Sequence, residues 1–76
     1  MKKIKIEAAE FFISDVAKYT SKPLKDLKIK KNVLLAAIRR KNKVIIPSGS
    51  DTIEPLDSIV IVTKDLVIKD VEDILE

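Results

Sequence analysis

The distribution of apolar residues predicts a β-hairpin in the middle of the chain, in the stretch VLLAAIRRKNKVIIP. Two strands, Val33–Arg40 and Lys43–Ile46, flank the dipeptide Lys41-Asn42, and Asn tolerates the left-handed backbone that two-residue turns require. Lys is the less suitable residue at the other turn position. A two-residue turn also fixes the register of the hairpin. The expected pairs are Arg40 with Lys43, Arg39 with Val44, Ile38 with Ile45, and Ala37 with Ile46.

Both faces of this hairpin are apolar up to the turn, where both become basic. Because side chains alternate across a strand, one face is expected to carry Leu34, Ala36, Ile38, Arg40, Lys43, Ile45 and Pro47. The other face is expected to carry Val33, Leu35, Ala37, Arg39, Val44 and Ile46. A hairpin that is solvated on one side shows a polar face there, so this pattern predicts a cover on each side.

Two further strands are predicted outside the hairpin. The first, Ile4–Ser14, shows apolar alternation, although Ala and Glu also favour a helix over Glu7–Phe12. The last, Ser58–Thr63, is apolar on both faces. The segment after the first strand, Asp15–Thr20, is expected to be a connection, with Val16 and Tyr19 packed beneath it.

Two helices are predicted, one short and one terminal. The short helix, Lys22–Leu27, has Pro in its first turn, where Pro is tolerated. The terminal helix, Val67–Leu75, is expected to follow a cap at Asp65. Its apolar residues recur with the period of a helix. That stripe consists of Ile68, Val71 and Leu75, widened by Val67 and Ile74.

The element order indicates an α+β domain with a small, mostly antiparallel β-sheet, one short helix and one C-terminal helix. We expect residues 1–76 to form a single domain. The two helices are too short to cover both faces of the sheet. Because a large uncovered apolar patch marks an interface, and two-fold dimers are the commonest soluble oligomers, we expect a homodimer. Ile45 or Ile46 is expected to be buried against the partner.

Composition excludes several kinds of chemistry. The chain contains no Cys and no His, and it contains one Gly. It therefore has no disulfide framework, no Cys nucleophile, no His to activate its Ser and Thr residues, and no Gly-rich phosphate loop. We expect no catalytic residues, no metal site and no cofactor. The carboxylates at Asp70 and Asp73 fit a solvated helix face better than a cation site, and those at Asp51, Glu54 and Asp57 fit turns and caps.

Charge is divided unevenly along the chain. The net charge is +3, with a basic middle and an acidic C-terminal third. The simplest interpretation is that the two parts offset each other within one domain. The alternative is an anion-binding patch at Arg39, Arg40, Lys41 and Lys43, because guanidinium groups pair bidentately with phosphate. Three aromatic residues are too few for a base-stacking platform, so nucleic acid is not an expected partner.

An ordered set of residues from about Glu7 to Leu75 also carries a family resemblance. The set comprises Glu10-Phe11, Lys22-Pro23-Leu24, Asp26-Leu27, Val33-Leu34, Ala37-Ile38, Arg40, Val44-Ile45-Ile46-Pro47, Gly49, Ile53-Glu54-Pro55 and Asp57. It resembles the TrkA C-terminal domain, also called RCK-C. That domain is the regulatory module of cytoplasmic subunits that gate potassium uptake systems.

Three positions depart from the family pattern. The family usually has Gly where Ser21, Asn42 and Leu56 stand. Asn42 still suits a left-handed turn, whereas Leu56 does not, so the turn at Pro55–Asp57 is expected to be strained or reshaped. These 76 residues lack the Gly-x-Gly-x-x-Gly of the nucleotide-binding half that normally precedes the module. We expect either a stand-alone module or a piece of a longer Trk-type subunit.

The resemblance implies a non-enzymatic, dimerising regulatory module of a potassium transport system, located in the cytoplasm at the inner face of the membrane. Its partner would be the transporter's membrane subunit, reached through the parent chain. Some family members bind cyclic di-AMP between two copies. Carried over to this chain, that site would use Ile38, Arg40, Ile45, Ile46 and Pro47. A dimerisation domain without a ligand is the alternative.

Overall fold

A four-stranded antiparallel sheet organises the domain. The computed structural model describes residues 3–14 and 20–76. The strands are β1 (Ile6–Phe12), β2 (Val33–Arg40), β3 (Lys43–Ile45) and β4 (Ser58–Lys64), in the spatial order β1-β4-β2-β3. All the predicted strands are confirmed, with slightly different ends. Most of the predicted connection, residues 15–19 with Val16 and Tyr19, lies outside the described residues.

The core lies on one face of this sheet. Its buried side chains come from β2, from β4 and from segments that cross the face: Ile13, Leu35, Ile38, Ile53, Ile59, Ile61 and Ile74. All seven are branched aliphatic residues, six Ile and one Leu. Within residues 3–14 and 20–76, loops and short turns cover only this face of the sheet.

The alternation predicted for β2 is wrong in its first half, because β2 contains a bulge. Leu35 pairs with Ile61 whereas Ala37 pairs with Val60, so Ala36 is an extra residue between them. A bulge shifts the alternation by one residue. Leu35 consequently lies in the core on the same face as Ile38. Leu34 lies on the opposite face and is 62% exposed.

The hairpin register is confirmed, but one detail of its turn differs. The pairs Ile38–Ile45, Arg39–Val44 and Arg40–Lys43 form as predicted, and β3 ends at Ile45, before the predicted pair of Ala37 with Ile46. The residue with positive φ is Lys41, at 54°, and not Asn42. The hairpin twist therefore places the left-handed residue at the first turn position, where a Lys must adopt it.

The predicted helix Val67–Leu75 is wrong. Only a 3₁₀ turn, Val71–Ile74, forms there, and Asp70 rather than Asp65 caps it. The carboxylate of Asp65 instead accepts a hydrogen bond from the backbone N–H of Lys5. Apolar residues at helical spacing could not distinguish a helix from this arrangement, because an irregular segment also buries Ile74 completely. The β-branched residues of this segment also have low helix propensity.

The predicted short helix Lys22–Leu27 is also reduced, to the 3₁₀ turn Leu24–Asp26. The N–H groups of Leu24 and Lys25 donate to Asp51 and Gly49, so this segment is held by the loop after the hairpin instead of by helical bonds. The α+β prediction thus holds only coarsely: an antiparallel sheet with two short 3₁₀ turns. Within the described residues, no helical segment has the length or apolar character needed to span a membrane.

Leu56 keeps the left-handed backbone expected at its position, with φ of 73°. Its side chain is 70% exposed, so it packs little. We expect Leu56→Gly to raise the free energy of unfolding by about 1 kcal/mol, because an L-residue in this region is strained and Gly is not. Urea denaturation followed by circular dichroism measures the change. A loss of stability would show that the Leu side chain contributes more than the strain costs.

Candidate functional site

Arg40, at the end of β2, makes the best-defined polar contacts of the domain. Its Nε donates to Oδ1 of Asp57 at 2.9 Å and its Nη2 donates to Oδ2 at 2.8 Å. Nη2 also donates to the carbonyl of Thr52 at 2.9 Å. The guanidinium therefore joins β2 to the turn before β4 and to the loop after β3. Nη1 makes no hydrogen bond with any residue that the structure describes.

Asp57 is the buried member of this ion pair. Its side chain is 1% exposed, whereas that of Arg40 is 36% exposed. Burial alone would raise the pKa of Asp57. The hydrogen bonds from Arg40, the backbone N–H of Glu54 and the charge of Arg40 together outweigh burial and lower this pKa below its ordinary value. The pKa of Arg40 is raised, mainly by its hydrogen bond to Asp57.

This lowered pKa predicts a pH dependence of stability. A carboxyl group whose pKa is lower in the folded state stabilises the fold above its unfolded pKa of about 3.9, and this contribution is lost as the pH falls through the folded pKa. We expect the free energy of unfolding to decrease below about pH 4. In Asp57→Asn, which is less stable at pH 7, the decrease should be shallower. Urea denaturation from pH 7 to pH 2 checks this, and equal slopes would contradict it.

The five residues predicted to bind a ligand occupy different environments. Ile38 is completely buried and pairs with Ile45, which packs at the edge of the core. Arg40 is held by Asp57 as described. Ile46 is 77% exposed and Pro47 is half-buried. The structure thus brings Ile38, Ile45 and Arg40 to one end of the hairpin and leaves Ile46 accessible beside them.

The other basic residues of the predicted patch are at the hairpin tip. Lys41 and Lys43 are exposed, and neither forms an ion pair within the described part of the chain. Arg39 lies on the opposite side of β2, where it contacts Glu10 at 3.6 Å. Residues 40 to 43 line an open hollow of about 440 Å³. The tip therefore presents accessible positive charge, and the exposed Ile46 comes directly after the end of β3.

The acidic residues serve turns and caps. Asp70 and Asp73 bond reciprocally with backbone N–H groups to form a capping box. The carboxylate of Asp51 accepts from the N–H of Ser48. Among the described residues, no group of carboxylates could hold a metal ion. The predicted turn role is confirmed for Asp51, whereas Asp70 and Asp73, predicted to lie on a solvated helix face, cap a 3₁₀ turn instead. The partnership of Asp57 with Arg40 was missed. Two residues 17 positions apart give no periodic signal.

The second feature of functional interest is the sheet face opposite the core, here called the open face. Its large side chains are mostly solvent-exposed: Ile6 at 68%, Phe12 at 61%, Leu34 at 62% and Val44 at 67%. Smaller residues lie between them, according to the strand register: Ala8, Ala37, Val60 and Val62. Glu10 and Arg39 form an ion pair there. The open face is thus an apolar surface with large residues around smaller ones.

Comparison with known proteins identifies the family of this fold. The TrkA-C domain model matches residues 9–76, which includes all four strands from Ala9 onward. The chain belongs to the TrkA-C domain family. This confirms the resemblance inferred from the residues.

Curated relatives of this TrkA-C domain come from Methanosarcina mazei. Trk system potassium uptake protein trkA homolog 1 is 34% identical over 70 residues, which are 92% of this chain and 17% of that protein. Homolog 2 is 31% identical over 70 residues, which are 92% of this chain and 16% of that protein. The TrkA-C domain therefore spans about one sixth of the length of these relatives.

Proposed function

We propose that this TrkA-C domain is a non-enzymatic regulatory module of a potassium transport system and that it acts as a homodimer. The family membership and the names of the relatives support the transport role. The open face is the main observation in favour of the homodimer. Soluble monomers rarely leave the large side chains of a whole sheet face exposed, and here no described segment covers that face.

A second copy fits the open face because the face is complementary to itself. Its large residues, such as Phe12 and Leu34, can pack over the smaller residues of a partner related by two-fold symmetry. Its charges also match, since Glu10 and Arg39 have opposite signs and can exchange partners across such an axis. Two sheets stacked in this way form a sandwich in which the sheets lie about 10 Å apart.

The sequence led us to expect Ile45 or Ile46 in the dimer interface, and the structure leaves only Ile46 as a suitable probe. Ile45 packs against the core of its own chain, so Ile45→Asp would unfold the monomer and would not test the dimer. Ile46 is exposed and remains a usable probe. We extend the proposed interface from the hairpin to the open face, of which Leu34 is one of the large exposed residues.

Sedimentation equilibrium at micromolar concentration tests the dimer. We expect a dimer for the wild type, a folded monomer for Leu34→Asp, and a dimer for the matched control Val67→Asp, whose side chain is 53% exposed outside the open face. Ile46→Asp reports whether the hairpin also contributes. A stably folded wild-type monomer would overturn the dimer.

A ligand role is the second part of the proposal. Positive charge at Lys41 and Lys43 suits an anionic nucleotide such as cyclic di-AMP, with Ile38, Arg40, Ile45, Ile46 and Pro47 forming the part of the hairpin that supports the site. Because Nε and Nη2 of Arg40 bind Asp57 and Thr52, Nη1 is the group left to contact phosphate. The alternative is a dimerisation domain that binds no ligand.

Calorimetry with cyclic di-AMP separates these two roles. Lys41→Gln with Lys43→Gln should weaken binding at least tenfold, since both charges are exposed and their removal spares the fold. The double variant Lys28→Gln, Lys69→Gln is the control, because it removes the same amount of positive charge away from the hairpin tip. Absence of binding to the wild type would leave the dimerisation role alone. The cytoplasmic location and the contact with a transporter membrane subunit through a longer parent chain are parts of the same proposal.

A further inference from the structure

A cleft opens at one end of the open face, away from the hairpin tip. Its volume is about 430 Å³. Val62 lies on the inner strand β4, between Ala8 of β1 and Leu34 of β2, and Ile6 of β1 pairs with Lys64, the next residue of β4 on this face. The side chains of Ile6 and Leu34 are largely exposed while Val62 is half-buried, so they form the walls of a trough whose floor is Val62.

Two lysines, Lys31 and Lys64, also line this cleft. Both are exposed, and neither forms an ion pair in the ranges 3–14 and 20–76. No residue that lines the cleft is acidic. The nearest acid along the chain, Asp65, accepts the backbone N–H of Lys5. The cleft therefore combines an apolar floor with two positive charges that the described part of the chain does not neutralise.

The trough continues along β4 from Lys64 toward the middle of the open face. Val60 follows Val62 on this face, and it lies between Ala37 and Glu10, which forms an ion pair with Arg39 at this point of the open face. The small side chains of Ala8, beside Val62, and Ala37 leave space above β4 between Lys64 and this ion pair. Four residues of strand correspond to about 14 Å, which is enough for an extended chain of several methylene groups.

We propose that this cleft binds an acyl-chain carboxylate, with its carboxylate between Lys31 and Lys64 and its alkyl chain along Val62 and Val60. Charge and shape both select this ligand class. A small inorganic anion would leave the apolar trough exposed, whereas a neutral alkyl chain would leave both lysines without a counterion. This site is distinct from the proposed nucleotide contacts at Lys41 and Lys43, which lie at the other end of β2.

Calorimetry with decanoate below its micelle concentration tests the site. The expected result is saturable binding to the wild type, at least tenfold weaker binding to the Lys31→Gln, Lys64→Gln double variant, and unchanged binding to the control Lys28→Gln, Lys69→Gln. Acetate carries the same charge without the chain, and octanol carries a chain without the charge. Each should bind at least tenfold more weakly than decanoate.

Several results would overturn the site. These are no decanoate binding to the wild type, equal losses in both double variants, or acetate binding as tightly as decanoate. Binding to vesicles of phosphatidylglycerol without binding of free decanoate would overturn it in favour of a lipid surface. Because the alkyl chain would cover part of the open face, sedimentation in decanoate should also shift the wild type toward monomer. A monomeric wild type that binds decanoate would refute the proposed dimer and support this site.

Discussion

Arg40→Ala is expected to lower the free energy of unfolding by about 3 kcal/mol, the lower end of the cost of breaking a buried ion pair. The reason is Asp57, whose side chain is 1% exposed. Without the guanidinium, the N–H of Glu54 is the one donor to this carboxylate among the residues that the structure describes. Domains of this size have a total stability of about 4–11 kcal/mol. The variant would therefore lose a large part of it, which urea denaturation at pH 7 measures directly.

The neighbouring residue provides the control for this experiment. The side chain of Arg39 is 59% exposed and lies 3.6 Å from Glu10, so Arg39→Ala should cost less than about 1 kcal/mol. Arg40→Lys keeps the charge but loses the two parallel bonds to Asp57, and it should fall between the two. Equal losses in Arg39→Ala and Arg40→Ala would show that the buried pair contributes nothing beyond a surface charge.

Ile74→Ala is expected to cost about 2–5 kcal/mol, the usual range for truncating a buried Ile. Ile74 is completely buried, although it belongs to a short 3₁₀ turn near the C-terminus. Its carbonyl also accepts the N–H of Lys30, and the backbone of Leu75 bridges to Ile29. This terminal segment is thus tied to the loop before β2 and closes the core.

Val67→Ala provides the matched comparison, because Val67 is 53% exposed in the same segment. It should change the free energy of unfolding by less than about 0.5 kcal/mol. Thermal denaturation followed by circular dichroism checks both variants. Similar small effects for Ile74 and Val67 would mean that the terminal segment is not part of the core.

The hairpin could be predicted because a two-residue turn and two apolar runs define it locally. The bulge at Ala36 could not, since Leu34, Leu35, Ala36 and Ala37 are all apolar and any of them could face the core. The prediction of a terminal helix was wrong for a related reason. Helical spacing predicts which residues are buried, and it succeeded for Ile74, but burial can be reached without helical backbone.

The candidate sites show the same limit of local patterns. The basic hairpin tip is visible as a run of charges, whereas the partner of Arg40 depends on how the loop before β4 folds back. An uncovered apolar face of the sheet was expected from the sequence. Which residues lie on that face could not be predicted, because the bulge in β2 places Leu34 there. The cleft at Lys31 and Lys64 joins three strands that no single stretch of sequence contains.

The sheet order has a consequence for how the chain folds during synthesis. β4 is the last strand to be made, yet it lies in the middle of the sheet and pairs with both β1 and β2. Before β4 emerges from the ribosome, β1 has no strand to pair with, and only the β2–β3 hairpin can form. Pairings between distant residues also slow folding. The nascent domain therefore exposes unpaired strand edges until nearly all of its residues have been translated, a period in which such edges favour aggregation.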